Sequence, residues 1–204
     1  IFRDLGLYVG SVVMTRYAGQ PGAEAFLKRL ASLGIKAYRF SLSWSRIFPD
    51  GVGEVNPDGV RFYNELIDAL LENGIEPYIT LYHWDLPQVL EDRGGWVNRD
   101  SIEWFGEYAH KMFSAFGDVV PMWSTVNEPI ATYVGYAHGG FAPGYFNESW
   151  GNQARHNILV AHGKGVEAFR AINPKNSKIG VVIDIWKRHA LTNSPEDIAL
   201  MIDQ

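Results

Sequence analysis

Apolar residues recur at helical spacing in four stretches of the chain, and a short apolar run follows each of them. In residues 22–33, Phe26, Leu27 and Leu30 lie on one predicted helical face. Gly34 is suited to end that helix, and residues 35–42 are then predicted to form a buried strand. The same order recurs, with predicted helices at 60–71, 102–116 and 154–172 and predicted strands at 77–83, 119–127 and 178–184. A weaker pattern at 6–13 indicates one further strand.

Strands that alternate with helices of this length favour parallel pairing through right-handed crossovers, in a doubly wound sheet or a barrel. No Gly-x-Gly-x-x-Gly turn follows a predicted strand, so a dinucleotide site has no support. Polar and aromatic residues collect where the predicted strands end: Arg39, Ser43, Trp44, His83, Trp84, Asp85, Asn127, Glu128 and Asp184. In a barrel the carboxyl end of the strands is the active face, so the pattern favours a barrel.

The number of predicted strands is small for a complete barrel. An eight-fold (β/α)8 barrel takes about 250 residues, whereas this chain has 204 residues. We therefore predict an α/β fold in which residues 1–204 form a single domain, a partial TIM barrel of about four to five βα units. Such a sheet leaves one face and an edge uncovered, so a complementary half-barrel chain or self-association is expected.

Composition and charge exclude several classes of partner. The net charge is −5 and no basic block occurs, which argues against a nucleic-acid groove or an anionic membrane surface. Cysteine is absent from the sequence, so disulfides, thiolate nucleophiles and cysteine-ligated zinc are excluded. No basic segment precedes a long apolar one, so neither a signal peptide nor a membrane span is predicted, and a cytoplasmic location is expected.

The segment 125–129, Thr-Val-Asn-Glu-Pro, places an amide beside a carboxylic acid at the end of the strand predicted at 119–127. Pro129 cannot donate a ladder hydrogen bond and should end that strand. Asn127 offers a donor and an acceptor to a hydroxylated ligand, and Glu128 offers a proton. These groups suit the cleavage of a glycosidic bond, although an isolated Asn-Glu-Pro tripeptide is more often only a turn.

Metal-dependent hydrolysis is a weaker interpretation. The available ligands would be His83, Asp85 and Glu91, or the helical pair His156 and His162. His83 and Asp85 lack a third ligand at a recognisable spacing, and two helical residues six apart do not share a face. We predict no metal and no cofactor.

Several further motifs occur together with the Asn-Glu-Pro segment, and with them the chain resembles glycoside hydrolase family 1, the β-glucosidase and 6-phospho-β-glucosidase family. The resemblance covers about residues 24–204, the N-terminal half of that family. It rests on Leu-Gly-Ile-Lys-Ala-Tyr-Arg-Phe-Ser at 33–41, Ser-Trp-Ser-Arg-Ile-Phe-Pro at 43–49, Leu-Tyr-His-Trp-Asp-Leu-Pro at 81–87, Thr-Val-Asn-Glu-Pro at 125–129 and Gly-Phe-Ala-Pro-Gly at 140–144.

The resemblance implies a role for five residues in binding or cleaving a β-glucoside or related small carbohydrate. Glu128 matches the general acid/base and Asn127 the residue that holds the sugar 2-hydroxyl. His83 matches a ligand of the glycone hydroxyls, with Trp84 beside it in the substrate site. Arg39 matches the arginine that stabilises the ionised nucleophile. Taken alone, His83 is more often a buried, hydrogen-bonded structural histidine and Arg39 a member of a structural ion pair, and their position beside Glu128 on the same face favours the functional interpretation.

Two departures from the family pattern limit that implication. The family's nucleophile is a second glutamate in a Thr-Glu-Asn-Gly-like segment late in the barrel, and nothing in these 204 residues matches it. The retaining mechanism needs two carboxylates about 5–5.5 Å apart. Residues 1–23 are also atypical, since 6–11 lack the family's sugar-binding glutamine. We therefore predict the acid/base half of a retaining β-glycosidase, and the alternative is a non-catalytic sugar-binding or scaffolding half-barrel.

Overall fold

The computed structural model describes residues 21–185 and 189–202, and the strand predicted at 6–13 lies outside the described residues. The described helices and strands follow one another in this order: α1 Pro21–Ser32, β1 Ala37–Ser41, α2 Trp44–Ile47, α3 Pro57–Glu72, β2 Glu76–Tyr82, α4 Gln88–Glu91, the 3-10 helix Gly95–Val97, α5 Ser101–Phe116, β3 Met122–Asn127, α6 Ile130–Ala137, α7 Glu148–Ile172, β4 Lys178–Val182 and α8 Pro195–Ile202.

The four described strands form one parallel sheet in chain order, β1-β2-β3-β4. Arg39 of β1 pairs with Tyr78 of β2, and Thr80 of β2 pairs with Ser124 of β3. Because each strand lies beside its predecessor and the order never reverses, the winding is that of a barrel rather than of a doubly wound sheet. The predicted α/β fold, a partial TIM barrel, is confirmed.

Local capping explains where α3 and α7 begin. Before α3, the Asn56 side chain accepts a hydrogen bond from the backbone N–H of Asp58 at 3.1 Å, and Pro57 occupies the first turn. Before α7, the Asn147 side chain accepts from the N–H of Trp150 at 3.1 Å. The helix predicted at 154–172 therefore begins earlier than expected, at Glu148.

The strand predicted at 119–127 was wrong at its start. Val120 is still hydrogen-bonded to the end of α5, since its N–H donates to the Phe116 carbonyl at 3.1 Å. Pro121 follows and has no N–H to donate. Its carbonyl accepts from Lys178 at 2.9 Å, and β3 then begins at Met122.

An aromatic core holds the helices against the outer face of the sheet. Trp44, the first residue of α2, stacks on Tyr108 of α5 with ring centroids 4.6 Å apart, and both side chains are buried. Phe105 packs edge-on against the same Trp44 at 5.9 Å. Aromatic pairs of this kind stabilise a core by about 0.5–1.5 kcal/mol each beyond their buried area. The helices that follow the strands are therefore packed on one another by buried aromatic side chains.

The edges of the described sheet are less well covered. In β1, Ala37 and Arg39 are exposed, and beyond β4 the side chain of Ile185 is 88% exposed. Unpaired strand edges and exposed apolar side chains favour association with another polypeptide.

Gly95 occupies a position with no room for a side chain. Its φ of 53° is left-handed, and a β-carbon there would overlap the Glu91 carboxylate and the Tyr136 hydroxyl. We expect Gly95→Ala to lower the free energy of unfolding by about 2–5 kcal/mol, from backbone strain together with overpacking. The matched control is Gly34→Ala, where φ is also positive but no atom lies within 4 Å. If both variants shift the urea midpoint equally, overpacking at Gly95 contributes nothing.

Candidate active site

The five residues predicted for the site lie at the carboxyl end of the parallel sheet. Arg39 lies in β1, His83 and Trp84 directly follow β2, Asn127 ends β3, and Glu128 follows it. The sheet order places β2 between β1 and β3, so these residues come from three adjacent strands.

Arg39 and Asn127 are in direct contact although 88 residues separate them in the chain. The Arg39 Nη2 group donates a hydrogen bond to Asn127 Oδ1, and its Nε donates to Thr80 Oγ1 at 2.9 Å. The guanidinium also lies over the Tyr78 ring, 5.6 Å from its centroid. Hydrogen bonds from a charged group are about twice as strong as neutral ones. Arg39 therefore fixes the orientation of the Asn127 amide, with Oδ1 toward the guanidinium.

A β-bulge in β3 directs Asn127 to this side of the sheet. Ser124 pairs with Gly180 and Asn127 with Val182, so β3 advances three residues where β4 advances two. In a regular strand, residues 124 and 127 would face opposite sides. In this structure both side chains lie on the face of the sheet that carries Arg39. Asn127 is hydrogen-bonded to Arg39, and Ser124 is hydrogen-bonded to the hydroxyl of Tyr78, whose ring lies beside the Arg39 guanidinium. Bulges are common next to active sites because they redirect a side chain in this way.

Thr125 points in the opposite direction and ties β3 to the helix layer. Its hydroxyl lies 2.6 Å from Nδ1 of His162 in α7 and donates to the Gly180 carbonyl at 3.2 Å. Burial lowers the pKa of His162, which favours the neutral imidazole. His162 is thus a structural partner of the bulged strand.

Glu128 is held in an unusual backbone conformation. Its φ of 45° lies in the left-handed region, which is rare for residues other than glycine. Its N–H donates to the Val182 carbonyl at 2.8 Å and so extends the pairing of β3 with β4 past the last strand residue. Strained conformations of this kind persist where the surrounding structure enforces them, and they cluster at functional sites.

His83 faces Ser41 of the neighbouring strand, with Nδ1 2.9 Å from the Ser41 hydroxyl. Since Ser41 occupies Nδ1, Nε2 is the ring nitrogen that a ligand would meet. The pKa of His83 is lowered, first by burial and then by the positive charge of Arg39, while the Glu128 carboxylate acts in the opposite direction. The imidazole is therefore neutral at neutral pH and can both donate and accept hydrogen bonds.

Trp84 connects the end of β2 to the end of β3. Its φ of 78° is also left-handed, and its indole N–H donates to the Asn127 carbonyl at 2.8 Å. The ring meets His83 edge-on at 5.0 Å and lies 4.8 Å from the ring of Phe141. Phe141 belongs to the Gly-Phe-Ala-Pro-Gly motif at 140–144 but was not predicted to be a site residue.

A cavity of about 80 Å³ lies on the side of Trp84 that faces Phe141. Its polar walls include the Glu91 carboxyl group, whose pKa burial raises, and the Thr132 hydroxyl, which is buried without a hydrogen-bond partner. The cavity is large enough for ordered water, which often satisfies such groups.

The alternative metal ligands are not gathered into one site. Glu91 accepts a hydrogen bond from Tyr136, and His162 is bonded to Thr125. Within residues 21–185 and 189–202, no cluster of three or more His, Cys, Asp or Glu side chains could bind a metal ion. Over the same residues, no helix has the length and hydropathy needed to cross a bilayer.

Known proteins share this arrangement of strands and motifs. The model of glycosyl hydrolase family 1 matches residues 23–203. Beta-glucosidase A of Acetivibrio thermocellus is 46% identical over 176 residues, which are 86% of this chain and 39% of that relative. A 1,4-beta-D-glucan glucohydrolase of Thermotoga neapolitana is 46% identical over 170 residues, 83% of this chain and 40% of that relative.

Solved structures agree with the sequence relatives. The β-glucosidase from Thermotoga maritima in complex with glucoimidazole superposes with a TM-score of 0.86 at 42% identity, covering 90% of this chain and 42% of that one. The same enzyme in complex with deoxynojirimycin gives 0.85 at 41% identity, covering 92% of this chain and 42% of that one. The chain spans about two-fifths of the length of these relatives, and it belongs to glycosyl hydrolase family 1.

Proposed function

We propose that this chain supplies the acid/base half of a retaining β-glycosidase site, and that the nucleophile comes from the C-terminal half of the barrel. The observation that carries the proposal is the contact between Arg39 and Asn127 immediately beside Glu128, at the carboxyl end of the parallel sheet. Membership of a family whose relatives are named β-glucosidases supports the reaction class.

In the proposed reaction, Glu128 acts twice. It first donates its proton to the glycosidic oxygen as the bond to the sugar breaks and the nucleophile carboxylate attacks the anomeric carbon. It then accepts a proton from the water that hydrolyses the glycosyl-enzyme, which releases the sugar and restores the acid. The backbone hydrogen bond from Glu128 to Val182 fixes the position from which this carboxyl group extends.

Arg39 has two tasks in this scheme. By holding Asn127 Oδ1, it leaves the Nδ2 group of Asn127 to donate to the sugar 2-hydroxyl, a contact that strengthens in the transition state. Its positive charge also favours the ionised form of a carboxylate brought close by the second half-barrel.

His83 and Trp84 are proposed to bind the glycone. The neutral imidazole, with Nδ1 at Ser41, presents Nε2 to a sugar hydroxyl. Trp84 supplies an apolar wall whose position is set by its bond to Asn127. A β-glucoside is the proposed substrate, because the similar Thermotoga maritima β-glucosidase has been solved in complex with glucoimidazole and with deoxynojirimycin.

The second candidate is a non-catalytic half-barrel that binds sugars or other chains. It would use the same sugar-facing residues without cleaving a bond, since one carboxyl group cannot complete the retaining mechanism. A cytoplasmic location likewise stays a prediction from the sequence.

Reconstitution separates the two candidates. The chain would be mixed with a purified C-terminal half-barrel of the family, the complex isolated by gel filtration, and hydrolysis of an aryl β-glucoside measured. We expect the chain alone to self-associate and to be inactive, and activity to appear only in a discrete complex, because both sheet edges are then paired and the second carboxylate faces Glu128. Binding of glucose analogues without any hydrolysis in the complex would support the non-catalytic candidate.

A further inference from the structure

The bulge between β3 and β4 is bracketed by two hydrogen bonds, and one of them comes from a side chain. At its start, the Thr125 hydroxyl donates to the Gly180 carbonyl at 3.2 Å. At its end, the Glu128 N–H donates to the Val182 carbonyl at 2.8 Å. Between these bonds β3 uses one more residue than β4, so a regular ladder would bring the preceding residue, not Asn127, opposite Val182.

The geometry of the candidate site depends on this bulge. Among the four described strands, β4 pairs with β3 alone, so the pairing of these two strands is set at one side only. Loss of the bulge would turn Asn127 to the face opposite Ser124 and away from Arg39, because side chains alternate along a strand. A contact that keeps the bulge in place therefore also keeps Asn127 on Arg39.

The helix α7 contacts both branches of the Thr125 side chain. The hydroxyl oxygen lies 2.6 Å from Nδ1 of His162. The methyl group lies against Gly165, where a β-carbon would come within 3.2 Å of it. His162 and Gly165 are three residues apart and so share one face of the helix. Thr125 is buried, so its hydroxyl depends on these protein partners.

The direction of the two hydrogen bonds at Thr125 follows from the number of protons. A hydroxyl group carries one proton, and a carbonyl oxygen can only accept. Since Thr125 donates its proton to Gly180, its oxygen accepts from His162, and Nδ1 carries the ring proton. Burial lowers the pKa of His162, so the ring is neutral at neutral pH and Nε2 is the unprotonated nitrogen. The donors thus run from α7 through β3 to β4.

We propose that His162 is a positioning residue that acts through Thr125. Its Nδ1–H holds the Thr125 hydroxyl on the Gly180 carbonyl and thereby keeps the bulge in place. The bulge in turn sets the direction of the Asn127 side chain and the backbone of Glu128. The consequence for catalysis rests on the proposed function, but the effect on the bulge does not, so it is measured in the chain without an assay of activity.

The first test is the tautomer of His162 in ¹H–¹⁵N spectra of the chain with labelled histidine at neutral pH. The sequence has 6 histidines, and the signals that disappear in His162→Asn assign this one. We expect a protonated Nδ1 and an unprotonated Nε2 in the parent. In Thr125→Val the Nδ1–H loses its acceptor, so the spectrum should move toward that of a free imidazole.

The second test is the hydrogen exchange of the Glu128 N–H, which closes the bulge. Thr125→Val keeps the methyl group and loses the hydroxyl, and we expect exchange at least about tenfold faster. Thr125→Ser keeps the hydroxyl and should stay near the parent rate. The internal control is the Leu42 N–H, which donates to the Thr80 carbonyl at 2.9 Å just after β1, because a general loss of stability would speed both.

Variants of His162 test the same link from the helix, and they carry the test if Thr125→Val does not fold. His162→Asn offers an amide N–H close to the position of Nδ1, so Glu128 should exchange near the parent rate. His162→Leu has no donor and should reproduce Thr125→Val. Because the two residues act in series, the double variant should exchange no faster than either single variant. His156→Leu, at an exposed position on the same helix, is the matched control.

A packing role for Thr125 predicts the opposite result. If its methyl group against Gly165 were what matters, Thr125→Ser would exchange faster and Thr125→Val would match the parent. That outcome would overturn the proposal, as would an Nε2-protonated His162 in the parent or additive effects in the double variant. An inactive reconstituted complex would leave all of these spectra unchanged, so the proposed function and the role of His162 fail separately.

Discussion

Replacing Glu128 by Gln should lower the hydrolysis of an alkyl β-glucoside by the reconstituted complex about 10²- to 10⁴-fold, the usual contribution of a general acid. Gln has nearly the same shape and cannot donate the proton that an alkoxide leaving group needs. A dinitrophenyl glucoside has a good leaving group, so formation of its glycosyl-enzyme should be affected much less. Steady-state and burst kinetics with both substrates measure the difference.

Azide provides the confirming experiment for Glu128. As a nucleophile that needs no base, it should restore turnover of the Glu128→Gln complex on the activated substrate and yield the glycosyl azide. The matched control is Glu107→Gln, an exposed glutamate on α5 that should leave both substrates unaffected. If Glu128→Gln cleaves the alkyl glucoside at the parent rate, Glu128 is not the acid/base.

Removing the charge of Arg39 should have the second largest effect. Arg39→Met loses the donor that orients the Asn127 amide and the positive charge proposed to favour the ionised nucleophile. Loss of an opposite charge within about 4–6 Å raises the pKa of a carboxyl group by about 1–3 units. The acid limb of the pH profile of kcat/KM should therefore move to higher pH by that amount, and kcat should fall about 100-fold or more.

Two variants separate the geometric from the electrostatic role of Arg39. Arg39→Lys keeps the charge but not the planar fork that reaches both Thr80 and Asn127, so its acid limb should move little while kcat still falls. Arg155→Met, on the exposed face of α7, is the control for a lost arginine. An acid limb that stays in place in Arg39→Met would exclude the electrostatic role.

Local sequence patterns were enough to predict the repeating unit of the fold. The apolar stripes at 60–71 and 102–116 correspond to α3 and α5, and the glycine after each helix precedes a strand. These features depend on side-chain period and on cap residues, which act over a few positions of the chain. The location of the five predicted site residues at one edge of the sheet was predictable for a similar reason, because parallel strands bring their carboxyl ends together.

The same local reasoning missed α6. Pro129 was expected only to end a strand, but with φ of −54° it directly precedes the helix Ile130–Ala137. Proline suits both tasks, since it stops ladder pairing and is tolerated in the first helical turn. Whether a proline after a strand only ends that strand or also precedes a helix depends on how the following residues pack.

The arrangement of the site itself was decided by tertiary structure. A strict alternation in β3 would have placed Asn127 on the side opposite Ser124, and only the pairing with β4 reveals the bulge that brings it to Arg39. The left-handed turns at Trp84 and Glu128 likewise depend on hydrogen bonds to Asn127 and to Val182, from strands distant in the chain. Neither residue type favours that conformation. The sequence by itself determined which residues reach the end of the sheet, because the period of apolar residues and the spacing of cap residues are local properties. The orientation of these residues toward one another was set by the pairing between strands, which no local pattern encodes.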